Sequence, residues 1–137
     1  MAKRQAAKRQ AVWMRVKALS AEEKAAVAET CGRFIADTLK PRFLPEIRPT
    51  EFNYPVDLFG RRRGNKYSFI TRYRSGFPDN AGEEFDAFTR LDHVEECVSE
   101  TRFDVMYTGQ WFLLHRSVPL EEALRLIETE EMLQPCL

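Results

Sequence analysis

Residues 56–74 read VDLFGRRRGNKYSFITRYR and predict two strands joined by a tight turn, the unit from which the expected fold is built. The strands are Val56–Arg62 and Lys66–Arg74, rich in aromatic and β-branched residues, and Arg63-Gly64-Asn65 is the turn. Side chains alternate between the two faces of a strand, so we expect one aromatic face packed on helices and one basic face in water. The aromatic face comprises Tyr67, Phe69, Thr71 and Tyr73, and the basic face Arg72 and Arg74.

Three later segments show the same alternation and predict three more strands, Glu84–Val94, Arg102–Thr108 and Gln110–Ser117. Thr108-Gly109-Gln110 predicts a tight hairpin turn between the last two. Hairpin-connected strands pair antiparallel, because a parallel pair needs a long crossover. The strands therefore predict an antiparallel meander.

Helices flank these strands. Ser20 followed by Glu23 is a capping box and predicts a helix start at Ser20, and Pro41 is expected to end that helix. A closing helix is predicted after Pro119. The fold class is thus α+β: an antiparallel β-meander of about five strands, with two N-terminal helices and one C-terminal helix packed on one face. Residues 1–19 are predicted to form a basic helical arm and residues 20–137 a single domain.

The charge of the chain is uneven along its length. Its 21 basic and 21 acidic residues give a net charge of zero. Residues 1–74 hold 17 basic and 7 acidic residues, and residues 75–137 hold 4 and 14, so the halves carry +10 and −10. Such a split is typical of a nucleic-acid surface, a basic arm, or two halves that attract each other within a domain or between subunits.

Composition excludes several classes of protein. The 137 residues suit one domain, and the longest apolar runs are four residues, whereas a membrane helix needs about 20. Three cysteines without a CxxC spacing, Cys31, Cys97 and Cys136, indicate reduced thiols and a cytoplasmic location. The six glycines form no phosphate-binding loop. We therefore expect no membrane partner and no cofactor.

His93 and His115 are the candidates for acid–base chemistry. If Gly109-Gln110 forms the hairpin turn, His115 lies opposite Asp104, a pair that a small hydrolase or transferase can use. If Thr108-Gly109 forms it, the register shifts and the pair is lost. Residues 92–96, DHVEE, lack a second histidine or a CxxC, so we predict no metal site.

The hairpin also carries a sign of nucleic-acid binding. Residues 60–74 interleave six basic side chains with three aromatic rings, the combination that single-strand binding needs. The predicted phosphate contacts are Arg4, Lys8, Arg15, Arg61, Arg62, Arg63, Lys66, Arg72 and Arg74. Trp111 and Phe112 are a predicted interaction surface, because one of two adjacent rings must point away from the face that packs on the helices.

The last third of the chain resembles a known pattern. Residues 102–112, RFDVMYTGQWF, followed by PLEEALRLIE at residues 119–128, are similar to small uncharacterised bacterial domains of unknown function. There a strand, a tight turn and a Trp strand precede a short Leu-rich helix. The resemblance implies a bacterial source and transfers no catalytic or binding residue.

We predict a cytoplasmic binding or scaffolding module that self-associates as a homodimer, which would cover an open edge of the sheet. The alternative is a nucleic-acid-binding protein that uses the basic first half, residues 1–17 and 61–74. A small hydrolase or transferase that uses His115 and Asp104 is the second alternative.

Overall fold

A computed structural model describes residues 19–77, 82–94, 101–108 and 110–137. The predicted arm, residues 1–19, lies outside this part of the chain except for Leu19, which is buried. The helical elements are α1 (Ala21–Phe34), a π-helical turn (Ile35–Leu39), α2 (Lys40–Phe43), α3 (Leu120–Thr129) and a 3₁₀ turn (Glu131–Leu133). The strands are β1 (Tyr54–Arg63), β2 (Lys66–Arg74), β3 (Glu83–Val94), β4 (Arg102–Tyr107) and β5 (Phe112–Pro119).

The strands form one antiparallel sheet in the order β1-β2-β3-β4-β5, so each strand pairs with its neighbours along the chain. The predicted α+β class and the five-stranded meander are confirmed. The number of helices differs slightly from the prediction, because the first of the two predicted N-terminal helices falls in residues outside the described part. Among the described residues, no helix is both long and apolar enough to cross a membrane.

The start of α1 is fixed by the predicted capping box. Glu23 N–H donates to Ser20 Oγ at 3.1 Å, and Ser20 N–H donates to the Glu23 carboxylate at 2.9 Å. Two backbone N–H groups without partners inside the helix are thereby satisfied.

The expected helix end at Pro41 is wrong, since the helical path continues to Phe43. Proline has no N–H to donate, and in a regular helix its ring collides with the carbonyl four residues earlier, here that of Asp37. The π-helical turn removes this conflict: Lys40 N–H donates to Ile35 O, five residues back, and the widened turn leaves room for the ring.

The core lies between the helices and one face of the sheet, here called the covered face. α1 and the π turn contribute Cys31, Ile35 and Leu39, and α3 contributes Ala123 and Ile127. The sheet side of the core includes Tyr67, Phe69, Leu91, Phe103 and Val105. Tyr67 and Phe69 therefore lie where the alternation predicted. Burial raises the pKa of the Cys31 thiol to about 12, so this thiol stays protonated in neutral solution.

An irregularity in β3 draws the C-terminal segment onto the covered face. Thr89 pairs with Phe69 but Ala87 pairs with Ile70, so Phe88 is an extra residue in β3. Phe88 and Thr89 are both buried, and the Thr89 hydroxyl donates to Leu133 O at 2.8 Å. This hydrogen bond fixes the 3₁₀ turn against the sheet.

Candidate functional site

The opposite side of the sheet, here called the open face, brings basic side chains from different strands together. Cross-strand pairing places Arg63 beside Lys66 in one row, and Arg61, Ser68 and Arg90 in the next. Side chains in directly paired positions lie about 5 Å apart at their Cβ atoms. The open face therefore collects cations that are up to 29 positions apart in sequence.

These rows enclose a hollow of about 370 Å³, here called the basic hollow. Its lining comprises Arg61, Arg63, Lys66, Ser68, Ile70, Ala87, Arg90 and Trp111. Four of these side chains carry a positive charge, and none of the described residues that line the hollow is acidic. Arg61, Arg63 and Lys66 are exposed, whereas Ile70 is buried at the floor. The site has the charge and the concave shape of an anion-binding surface.

Arg90 is held in a fixed orientation within this site. Its Nε donates to Asp92 Oδ1 at 2.6 Å and its Nη2 to Asp92 Oδ2 at 2.8 Å. Its guanidinium carbon lies 4.6 Å from the centre of the Trp111 ring. The Arg90 side chain is only 16% exposed. The bidentate hydrogen bonds to Asp92 and the stacking on Trp111 together fix the orientation of the guanidinium plane.

Trp111 reaches the open face through unusual backbone geometry. Its φ is 60° and that of Thr108 is 61°, both in the left-handed region. Such a conformation costs roughly 1–2 kcal/mol in a residue other than glycine. Trp111 N–H donates to Thr108 O at 3.1 Å, which closes the turn. The next ring, Phe112, is 53% exposed and packs on Tyr107 instead.

The predicted basic residues separate into three groups. Arg61, Arg63 and Lys66 line the basic hollow. The second group lies elsewhere on the sheet. Arg62 lines a small crevice with Leu19 on the covered side. Arg72 forms an ion pair with Glu83 at 3.1 Å, and Arg74 lies opposite Glu83 in the pairing of β2 with β3. Arg4, Lys8 and Arg15 lie outside the described residues.

Sequence reasoning missed Arg90, which belongs to the acidic half of the chain. Its place in the hollow depends on the extra residue Phe88, which sets the pairing of Arg90 with Ser68. Asp92, two positions later and therefore on the same face of β3, was the one signal in the sequence that Arg90 has a fixed partner.

The predicted pair of His115 and Asp104 does not form. Two register shifts between β4 and β5 place His115 opposite Val105. Its Nε2 lies 2.8 Å from the carboxylate of Glu130, while Asp104 accepts a hydrogen bond from Ser117 N–H at 2.9 Å. His115 therefore joins β5 to the segment after α3. Across the described chain, no three His, Cys, Asp or Glu side chains come together as a metal site.

Both edge strands carry features that oppose pairing with a further strand. In β1, Pro55 lacks an N–H, and a register shift follows it. The Asp57 carboxylate accepts a hydrogen bond from Leu58 N–H and forms an ion pair with Lys40 at 2.9 Å. In β5, two register shifts and the left-handed φ of Ser117, 53°, make the strand irregular. Side chains of β4 replace the regular strand pairing at this residue: Asp104 accepts from its N–H, and Arg102 donates to its carbonyl oxygen. Proline, bulges and charges of this kind protect a sheet edge.

A family model described as "Domain of unknown function (DUF3024)" matches residues 19–134. The resemblance to a domain of unknown function is confirmed, but its extent was wrong, because the match includes α1 and the whole sheet rather than the last third. No curated protein and no solved structure matches the chain.

Proposed function

The chain belongs to the DUF3024 family, and we propose that it binds nucleic acid on the open face of its sheet. The observation that carries this proposal is the basic hollow, where four cationic side chains and Trp111 surround one concavity. Cations supply phosphate contacts and rings supply stacking, which is how proteins bind nucleic acid without a sequence code.

Three of the four cations of the hollow are the best placed for contact with phosphates. Arg61, Arg63 and Lys66 are exposed at the rim, and they are not engaged by a carboxylate in the ion pairs found among the described residues. Each phosphate neutralised on a single strand contributes about −0.7 to the slope of log affinity against log salt concentration. Three such contacts predict a contribution of about −2.

Further rings beside the hollow support a path along the open face. The guanidinium carbon of Arg61 lies 5.9 Å from the centre of the Phe59 ring, and Phe59 meets Phe85 edge-to-face at 5.9 Å. Phe85 is 54% exposed. Phe59 and Phe85 therefore add aromatic surface next to the hollow, on which further bases of a single strand can stack.

The proposal is tested by equilibrium binding of the full chain to fluorescent single-stranded and duplex oligonucleotides over a series of salt concentrations. The Arg61→Gln/Arg63→Gln/Lys66→Gln variant should bind more weakly than the wild type, with a slope about 2 smaller. The control, Arg33→Gln/Arg48→Gln/Arg125→Gln, removes the same charge from arginines that pair with Glu29, Glu46 and Glu122 and lie outside the hollow.

The control should bind nearly as the wild type does. Equal losses for the two triple variants would show that net charge alone attracts the nucleic acid. No binding at low salt, or binding indifferent to salt, would exclude the proposal.

Self-association is the second candidate function. Phe112 and Leu113 are adjacent on edge strand β5, project to opposite faces, and are 53% and 41% exposed, which supports a second copy that covers this edge of the sheet. The protected edges oppose a dimer built by strand pairing. Light scattering should give a dimer for the full chain and a monomer for Phe112→Ser/Leu113→Ser, and a monomeric wild type at micromolar concentration in low and physiological salt would refute it.

A further inference from the structure

We infer that the basic hollow takes an unpaired nucleobase, which stacks on Trp111 and Arg90 while the adjoining phosphates lie on Arg61, Arg63 and Lys66. This inference rests on the proposed nucleic-acid binding and names its ligand class, a single strand. It also assigns Asp92 as a positioning residue, because Asp92 acts on the ligand only through Arg90.

Arg90 is better suited to stacking than to phosphate contact. Asp92 offsets its charge and occupies two of its five N–H groups, and the side chain is largely withdrawn from water. Its guanidinium is thus a flat group of fixed orientation that lies over the indole ring of Trp111, and both residues line the hollow. Bases of single strands stack on rings and on arginine planes of this kind.

The floor of the hollow agrees with a base rather than a phosphate. Ile70 and Ala87 supply apolar surface there, and Ser68 adds one hydroxyl. A hydrated phosphate gains nothing from apolar contact, whereas the face of a base does. The cations of β1 and β2 lie on one side of this floor, and the Trp111–Arg90 pair lies on the other. Phosphate contact and base stacking are therefore assigned to opposite sides of the hollow.

The size of the hollow favours a single strand over a duplex. A volume of about 370 Å³ lies near the lower end of the 300–1,000 Å³ usual for pockets that hold small molecules. A base in a duplex has both faces covered by its neighbours, and extruding it breaks its pairing and its stacking. A base in a flexible single strand is exposed at much smaller cost.

The strained backbone at Trp111 is an independent observation. A left-handed conformation in a tryptophan persists only because its surroundings hold it, and such strain clusters at binding sites. Here the strained turn places the indole ring against Arg90 at the margin of the hollow.

The test compares strands with and without bases on the same protein. In full-length Trp13→Phe, Trp111 is the remaining tryptophan. A thymidine oligonucleotide should quench its fluorescence, and an abasic strand of equal length, which carries the same phosphates, should not. Trp111→Leu should weaken binding of the thymidine strand about tenfold, Trp111→Phe less, and both should leave abasic and duplex binding unchanged.

Asp92→Asn separates a positioning role from a structural one. Asparagine offers one acceptor oxygen and cannot hold both hydrogen bonds of Arg90, yet the change removes a negative charge from the open face. We therefore expect abasic binding to stay equal or rise, while the preference for the thymidine strand over the abasic one falls several-fold. A folding defect would instead weaken both.

The outcomes distinguish base stacking from phosphate binding. Equal affinity for thymidine and abasic strands, with no effect of Trp111→Leu and with the salt slope intact, overturns base stacking and leaves phosphate binding in place. A chain that binds no strand at low salt refutes the proposed function itself.

Discussion

The covered and open faces of the sheet differ although the same strands build both. On β2, the covered face presents the buried Tyr67 and Phe69, while the open face presents Lys66 and Ser68, which alternate with them along the strand. Ile70 is the exception, a buried aliphatic residue on the open face. Buried apolar side chains and exposed polar ones therefore occupy alternate positions of one strand, so single substitutions should separate stability from the proposed binding.

The largest expected effect compares one phenylalanine from each face. Phe69→Ala empties a fully buried site and should lower the free energy of unfolding by about 3–5 kcal/mol. Phe85→Ala removes an exposed ring that contacts Phe59 and should cost less than about 1 kcal/mol. Urea unfolding followed by circular dichroism measures both. Similar costs would break the distinction between the faces.

An intermediate effect concerns alkaline pH, which acts on the covered face through Cys31. Burial raises its pKa from 9.0 to about 12, and burial followed by the charge of Cys31 raises the pKa of Tyr67 from 10.0 to about 12. The folded state therefore holds these protons more tightly than the unfolded state. The resulting stability is complete below pH 9 and is lost as pH rises toward 12, by up to about 1.4 kcal/mol per pH unit per group.

Unfolding in urea at intervals between pH 8 and 11 checks this prediction. The wild type should begin to lose stability above about pH 9, and Cys31→Ala, which retains Tyr67, only above about pH 10. Coinciding pH profiles would contradict the assignment to Cys31.

The smallest effect contrasts two buried threonines of the covered face. Thr89 donates to Leu133 O, so Thr89→Val leaves that carbonyl without its partner and should cost about 1–3 kcal/mol. Within the described part of the chain, Thr71 Oγ1 has no hydrogen-bond partner, so Thr71→Val should be neutral or slightly stabilising. Thermal unfolding should rank the variants in this order, and a reversed order would refute it.

The sequence predicted the elements well and their exact pairing poorly. Strand β2 was placed residue for residue, because alternation and the Gly64-Asn65 turn act locally. The extra residue Phe88 and the two register shifts between β4 and β5 leave no comparable local pattern, since they depend on packing against other elements. That is why three cations of the hollow were found, whereas Arg90 and the partner of His115 were not.

The helices show the same division. The Ser20 cap follows from residues within one turn, and it was predicted. Pro41 was misread as a helix end because the compensating π turn, Ile35–Leu39, places the buried Ile35 and Leu39 in the core. Tertiary packing outweighed a local rule there.

The strand order has a consequence for how the chain folds. Because every strand pairs with its neighbour in sequence, each pairing closes only a short loop, and the sheet can grow from β1 onward as the chain leaves the ribosome. The hydrogen bond from Thr89 to Leu133, 44 residues later, forms only after the segment that follows α3 has been synthesised. Until then the apolar covered face lacks α3 and the 3₁₀ turn, and the nascent sheet is in its most aggregation-prone state.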